Sequence, residues 1–102
     1  KIDVEGFEVE VLKGAQEVIE ESTPIICIEI SDSHPIKNGN KEDIRDIIQN
    51  LGDYKLYKLE RGKSRRSKLT EISSIKEIEH DNLFCIPTNE TKLIRNNETI
   101  IY

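Results

Sequence analysis

Acidic residues at two places in the chain have the types and spacing for proton transfer or for holding a cation. Asp3 and Glu5 stand two positions apart, just ahead of Gly6. Glu29 interrupts the run Ile25-Ile26-Cys27-Ile28-Glu29-Ile30, and Asp32 and His34 follow shortly after. Residues two apart in a strand share a face, so Asp3 and Glu5 are expected to project together, and Gly6 admits close approach of another group to the backbone. His34 is the candidate base for work near neutral pH. Each residue also has an ordinary reading: a solvated strand face for Asp3 and Glu5, a lysine partner for Glu29, a loop position for His34. Asp32 and His34 could join Asp3 or Glu5 around a metal ion, although Asp-x-His alone is a weak signal.

The other chemistry-bearing groups are less pointed. Arg61, Lys63, Arg65, Arg66 and Lys68 form the one basic cluster, either a solvated loop or a contact for an acidic group. Cys27 and Cys85 lie in apolar stretches without a cationic neighbour and read as reduced, structural thiols. Asn89-Glu90-Thr91 and Asn97-Glu98-Thr99 match the glycosylation pattern, which matters only in a secreted chain. No phosphate-cradling glycine loop, zinc spacing or Ser-His-Asp arrangement can be assembled.

The elements that must position the acidic residues follow from periodicity. Ile2 and Val4 alternate with charged residues as in a strand that Gly6 ends. Phe7, Val11, Leu12, Ala15, Val18 and Ile19 form a helical stripe, and Gly14 within it is expected where a neighbouring backbone comes close. Residues 25–30 suit a parallel strand covered on both faces, completing a strand-helix-strand unit. Asn40 offers an N-cap for a second helix with Ile44, Ile47, Ile48 and Leu51 on one side and Gly52 at its end. Residues 54–59 and 83–86 read as further strands, 61–68 as a loop, and 69–80 as ambiguous. The expected division is a domain over 1–87 and a tail or edge hairpin over 88–102.

Bulk properties narrow the function. At 102 residues the chain builds one modest core. A net charge of −5 argues against wholesale binding to nucleic acid or anionic lipid, and no apolar run is long enough to span a membrane. The expected location is the cytoplasm. Ligands of open α/β sheets bind beyond the carboxyl ends of the strands, which is where Asp3, Glu5, Glu29 and His34 fall.

The run Lys1-Ile2-Asp3-Val4-Glu5-Gly6-Phe7-Glu8, continued by Val11-Leu12-Lys13-Gly14-Ala15, Pro24 and Ile28-Glu29-Ile30, resembles the segment that marks FkbM-type methyltransferases. The resemblance is close over residues 1–30 and looser over 82–87. It implies a Rossmann-like class I methyltransferase sheet of order 3-2-1-4-5-7-6, of which this chain, beginning within a strand pattern, is expected to be the carboxy-terminal half: strands 4-5-7-6, the last antiparallel, with two amphipathic helices. It further implies transfer of a methyl group from S-adenosylmethionine to a hydroxyl of a small-molecule or sugar-like substrate. Asp3 would orient the donor's amino-acid part or the substrate hydroxyl, and Glu5 would accept a proton or hold the substrate. Glu29 and His34 would add substrate contacts. The glycine-rich loop and the acid that hold most of the donor have no counterpart in the chain, so this piece alone is expected to bind the donor weakly and to be inactive. Its expected partners are a small molecule, the missing amino-terminal half, and a second copy through the exposed strand edge. A non-catalytic α/β binding module and a metal-dependent hydrolase using Asp3, Glu5, Asp32 and His34 are the competing readings.

Overall fold

The structure is a computed structural model and describes residues 1–60, 67–89, 99 and 100. Two short helices, α1 (Glu8–Gly14) and α2 (Gln16–Ser22), lead to strand β1 (Ile26–Ile30) and a longer helix α3 (Lys41–Leu51). Strands β2 (Tyr54–Leu59), β3 (Ser67–Glu71), β4 (Asp81–Pro87) and β5 (Thr99–Ile100) complete the order, with a 3₁₀ turn at Ile75–Glu77 before β4.

The sheet runs β1-β4-β2-β3-β5. β4 is antiparallel to both β1 and β2, so β1 and β2 point the same way. The opening segment adds one parallel rung at the free side of β1: the Ile2 N–H donates to the Cys27 carbonyl at 2.7 Å, and the Ile2 carbonyl accepts from the Glu29 N–H at 2.9 Å. The expected opening strand is therefore a single bridge.

The main core lies between the helices and one face of the sheet. Ile26, Ile28 and Ile30 meet Val9, Leu12 and Ile19 from α1 and α2 and Ile44, Ile48 and Leu51 from α3. A smaller cluster, Tyr57, Leu59, Leu69, Phe84 and Ile86, fills the opposite face, with Cys27 against it. Cys27 and Glu29 are only half-buried, so β1 alternates in burial and is not covered evenly on both sides. Burial pushes the thiols of Cys27 and Cys85 upward, which keeps both protonated and unreactive.

The stripe over residues 7–19 is corrected by a break. α1 ends at Gly14, Ala15 takes φ −94° and ψ 9°, and α2 begins at Gln16, which offsets the two halves of the stripe. Val9 is buried instead, while Phe7 and Val18 are 47% and 60% exposed. A Cβ at Gly14 would meet nothing within 4 Å, so no neighbour approaches there; glycine's poor helix propensity suits the site of the break.

Helix α3 forms where its cap and its period agree. The Asp43 N–H donates to Asn40 Oδ1 at 3.0 Å, and the Asn40 N–H donates to Asp43 Oδ2 at 2.8 Å, a reciprocal cap. The Lys41 ammonium reaches the Ile78 carbonyl, and the Tyr54 hydroxyl donates to the Pro24 carbonyl at 2.6 Å. These two bonds tie the helix layer to the chain flanking the sheet.

Candidate functional site

Beyond Ile2 the chain turns sharply. The Phe7 N–H donates to the Val4 carbonyl at 3.3 Å across Glu5 and Gly6, whose φ values are 50° and 107°. Two successive positive φ angles are the signature of a type I′ turn, and the second position suits glycine. Glu5 thus stands in a turn, not on a strand face two residues beyond Asp3. Gly6 is buried under the loop after β1: its carbonyl accepts from the Lys37 N–H at 2.8 Å. A Cβ there would lie 2.8 Å from the Pro35 carbonyl oxygen. The group that approaches Gly6 is the chain itself.

This turn, the end of β1 and the start of β4 enclose a cleft of about 390 Å³ lined by Asp3, Glu5, Glu8, Glu29, Ser31, Ser33, His34 and His80. The parallel rung between Ile2 and Ile28 sets Asp3 beside Glu29. A hydrogen bond shared with Glu29 is the main reason the Asp3 acid is held above its ordinary value; desolvation and the Glu29 charge add to it, and Lys1 opposes it. His34 Nε2 lies 3.7 Å from Glu5 Oε2, both side chains being exposed. The Glu8 carboxylate is buried and accepts from the Gly6 N–H at 3.0 Å. Among the described residues the lining carries four carboxylates and no lysine or arginine, which favours a cationic group or a hydroxyl donor in the cleft.

The structure therefore brings Asp3, Glu5, Glu29 and His34 to one cleft. Asp32 is separated from them and lines a neighbouring cleft of about 300 Å³ beside Asn40 and Lys41. Among the described residues, no three His, Cys, Asp or Glu side chains are grouped to hold a metal ion. Arg61, Lys63, Arg65 and Arg66 lie outside the described residues; Lys68 is exposed on β3. Sequence reasoning missed His80 and Glu8. His80 precedes β4, and antiparallel pairing of Ile30 with Asp81 returns that end of β4 to the mouth beside β1. That signal is long-range, while for Glu8 the only local hint is a carboxylate two residues beyond a glycine.

The fold and the cleft define an α/β protein with an acidic mouth beside the parallel rung between Ile2 and Ile28. A family model described as Methyltransferase FkbM domain matches residues 1–56, which include the turn and most of the cleft. The chain belongs to the FkbM methyltransferase family. The match occupies the amino-terminal part of the chain, and this overturns the expectation of a carboxy-terminal fragment. No curated protein and no solved structure matches the chain. No helix among the described residues is long and apolar enough to cross a membrane.

Proposed function

We propose that the acidic mouth takes part in methyl transfer from S-adenosylmethionine to a hydroxyl of a small-molecule or sugar-like acceptor. The observation that carries this reading is the convergence of Asp3, Glu5, Glu29 and His34 on one cleft in a chain of a methyltransferase family. The sheet supports it too: the residue 1–4 segment, β1, β4 and β2 lie side by side with β4 antiparallel to its neighbours, an arrangement compatible with a Rossmann-like class I methyltransferase sheet. Two free thiols suit action in the reducing cytoplasm.

The donor chemistry fits these residues at one end only. When bound, S-adenosylmethionine supplies a methyl group on a cationic sulfonium, next to an ammonium-bearing amino-acid part. Asp3 and Glu29, two carboxyls close enough to share a hydrogen bond, would hold such a cation, whose charge favours the ionised form of both. Glu5, with His34 beside it, would accept the hydrogen bond of the acceptor hydroxyl. Glu5 would then be placed to take the proton of that hydroxyl when the hydroxyl acts as methyl acceptor. Among the described residues the lining of this cleft holds no aliphatic, Phe or Tyr side chain for the adenine ring, so the mouth's own grip on the donor is weak. The holding of reactants in line accounts for most of the remaining acceleration.

The test is transfer of a tritiated methyl group from S-adenosylmethionine to a panel of sugars, polyols and phenols, and turnover by the parent would reverse the expectation that this piece alone is inactive. Glu5→Gln is expected to lower turnover by roughly 10²–10⁴-fold, the usual contribution of a general base. Turnover within threefold of the parent would remove Glu5 from the chemistry.

A further inference from the structure

We propose that Glu8 is a positioning residue for this site: its carboxylate holds the Glu5–Gly6 turn in the conformation that aims Glu5 into the cleft. The assignment rests on Glu5 acting there.

Glu8 is the first residue of α1, where an acid normally faces water and interacts with the exposed N–H groups of the helix end. Here it is 2% exposed, and burial of a carboxylate is unfavourable unless a specific donor satisfies it. The donor is the Gly6 N–H, 3.0 Å from Glu8 Oε2. The Gly6 carbonyl is taken by the Lys37 N–H at 2.8 Å. Both polar groups of the Gly6 backbone are therefore fixed, one by α1 and the other by the loop that carries His34. Glu5, at φ 50°, is a non-glycine residue in the left-handed region, a conformation that persists only where the surroundings over-determine it. Helix formation does not require Glu8 to be buried, but the turn requires an acceptor at this point. Without the acceptor, Glu5 can relax toward an extended φ and swing away from Asp3 and His34.

The experiment compares Glu8→Gln, Glu8→Asp and Glu8→Ala in the full chain, with Leu12→Ala as a control that destabilises the same helix from the core side. Amide hydrogen exchange at Gly6, read by NMR, reports on the turn without any catalytic assay. Exchange should quicken by at least about tenfold in Glu8→Ala and in Glu8→Asp, whose carboxylate is one methylene short, and should stay near the parent in Glu8→Gln, whose amide oxygen still accepts. In methyl transfer, Glu8→Ala and Glu8→Asp should lower kcat toward the Glu5→Gln level with the donor KM within about threefold, Glu8→Gln should retain most of kcat, and Leu12→Ala should lose thermal stability while keeping kcat. Unchanged Gly6 exchange in Glu8→Asp overturns the inference, whatever the catalytic result. So does faster exchange accompanied by an unchanged kcat, and in that case Glu5 chemistry still stands. If Glu8→Ala does not fold, the Gln and Asp variants carry the same comparison. If the parent transfers no methyl group, the methyltransfer reading fails while Gly6 exchange still decides whether Glu8 holds the turn.

Discussion

Replacing Gly6 with alanine tests the backbone on which the cleft depends. The added methyl group would lie 2.8 Å from the Pro35 carbonyl oxygen and 3.4 Å from Lys37 Cγ. The first neighbour is backbone and must move. The residue would also keep φ 107°, where an L side chain is strained by about 1–3 kcal/mol. Moving the loop after β1 away from Gly6 weakens the hydrogen bond from the Lys37 N–H, worth about 0.5–1.5 kcal/mol net. Together these give a loss of roughly 2–4 kcal/mol. A domain of this size changes its Tm by about 4–8 °C per kcal/mol, so calorimetry should find a fall of roughly 8–30 °C. Glu5 and His34 sit on the two segments that part, so methyl transfer should fall as well. A Tm within about 3 °C of the parent would mean that the turn does not pack under the loop as described, and the geometry of the cleft would have to be abandoned.

Other perturbations reach the supports around the cleft. Leu12→Ala, at a fully buried position, should cost about 2–5 kcal/mol in urea denaturation, whereas Val18→Ala, 60% exposed, should change stability by less than about 0.5 kcal/mol. Equal effects would contradict the break between α1 and α2. Asn40→Ala removes one half of the α3 cap and should cost about 0.5–2 kcal/mol by the same assay. Asp3 and Glu77 should act oppositely on stability against pH. Asp3, raised from 3.8, contributes fully below that value and loses its contribution as pH rises through its folded value. Glu77 is lowered from 4.5 by the Ser74 and Ser73 backbone N–H groups; it contributes above 4.5 and loses this as pH falls through its folded value. Urea midpoints across the acid range should therefore show a smaller loss with rising pH for Asp3→Asn and a smaller loss with falling pH for Glu77→Gln. Unaltered slopes in both variants would remove these pairings.

What could be read without coordinates was what depends on neighbours in sequence. α3 was legible because its cap at Asn40, its apolar period and Gly52 agree on one element. The strands at 26–30, 54–59 and 81–87 were legible from the apolar runs 25–30, 54–59 and 83–86, and the meeting of Asp3, Glu5, Glu29 and His34 in one cleft was legible because open α/β sheets leave a crevice beyond their strand ends. The break at Ala15 was not, since an apolar period of 3.6 continues across it and only the weak helix propensity of Gly14 hints at a stop. The turn at Glu5 was hidden by the alternation of Ile2 and Val4, which continues formally through Glu5. β3 and the 3₁₀ turn lie in a stretch with mixed period, where pairing with β2 decides the structure. The burial of Glu8 and the arrival of His80 depend on contacts closed by the tertiary fold, one through the Gly6 N–H and the other through the antiparallel return of β4.

The claim that the acidic mouth faces the methyl donor is tested most directly by a ¹⁵N NMR titration of the full chain with S-adenosylmethionine, repeated with its neutral thioether product. Amide shifts at Asp3, Glu5, Gly6, Glu29 and His34 should move with an affinity weaker than about 10 µM, and the sulfonium should bind more tightly than the thioether, a preference that Asp3→Asn reduces because it rests on charge. Shifts confined to the cleft beside Lys41, or equal affinity for the charged and neutral ligands in the parent and in Asp3→Asn, would contradict the account.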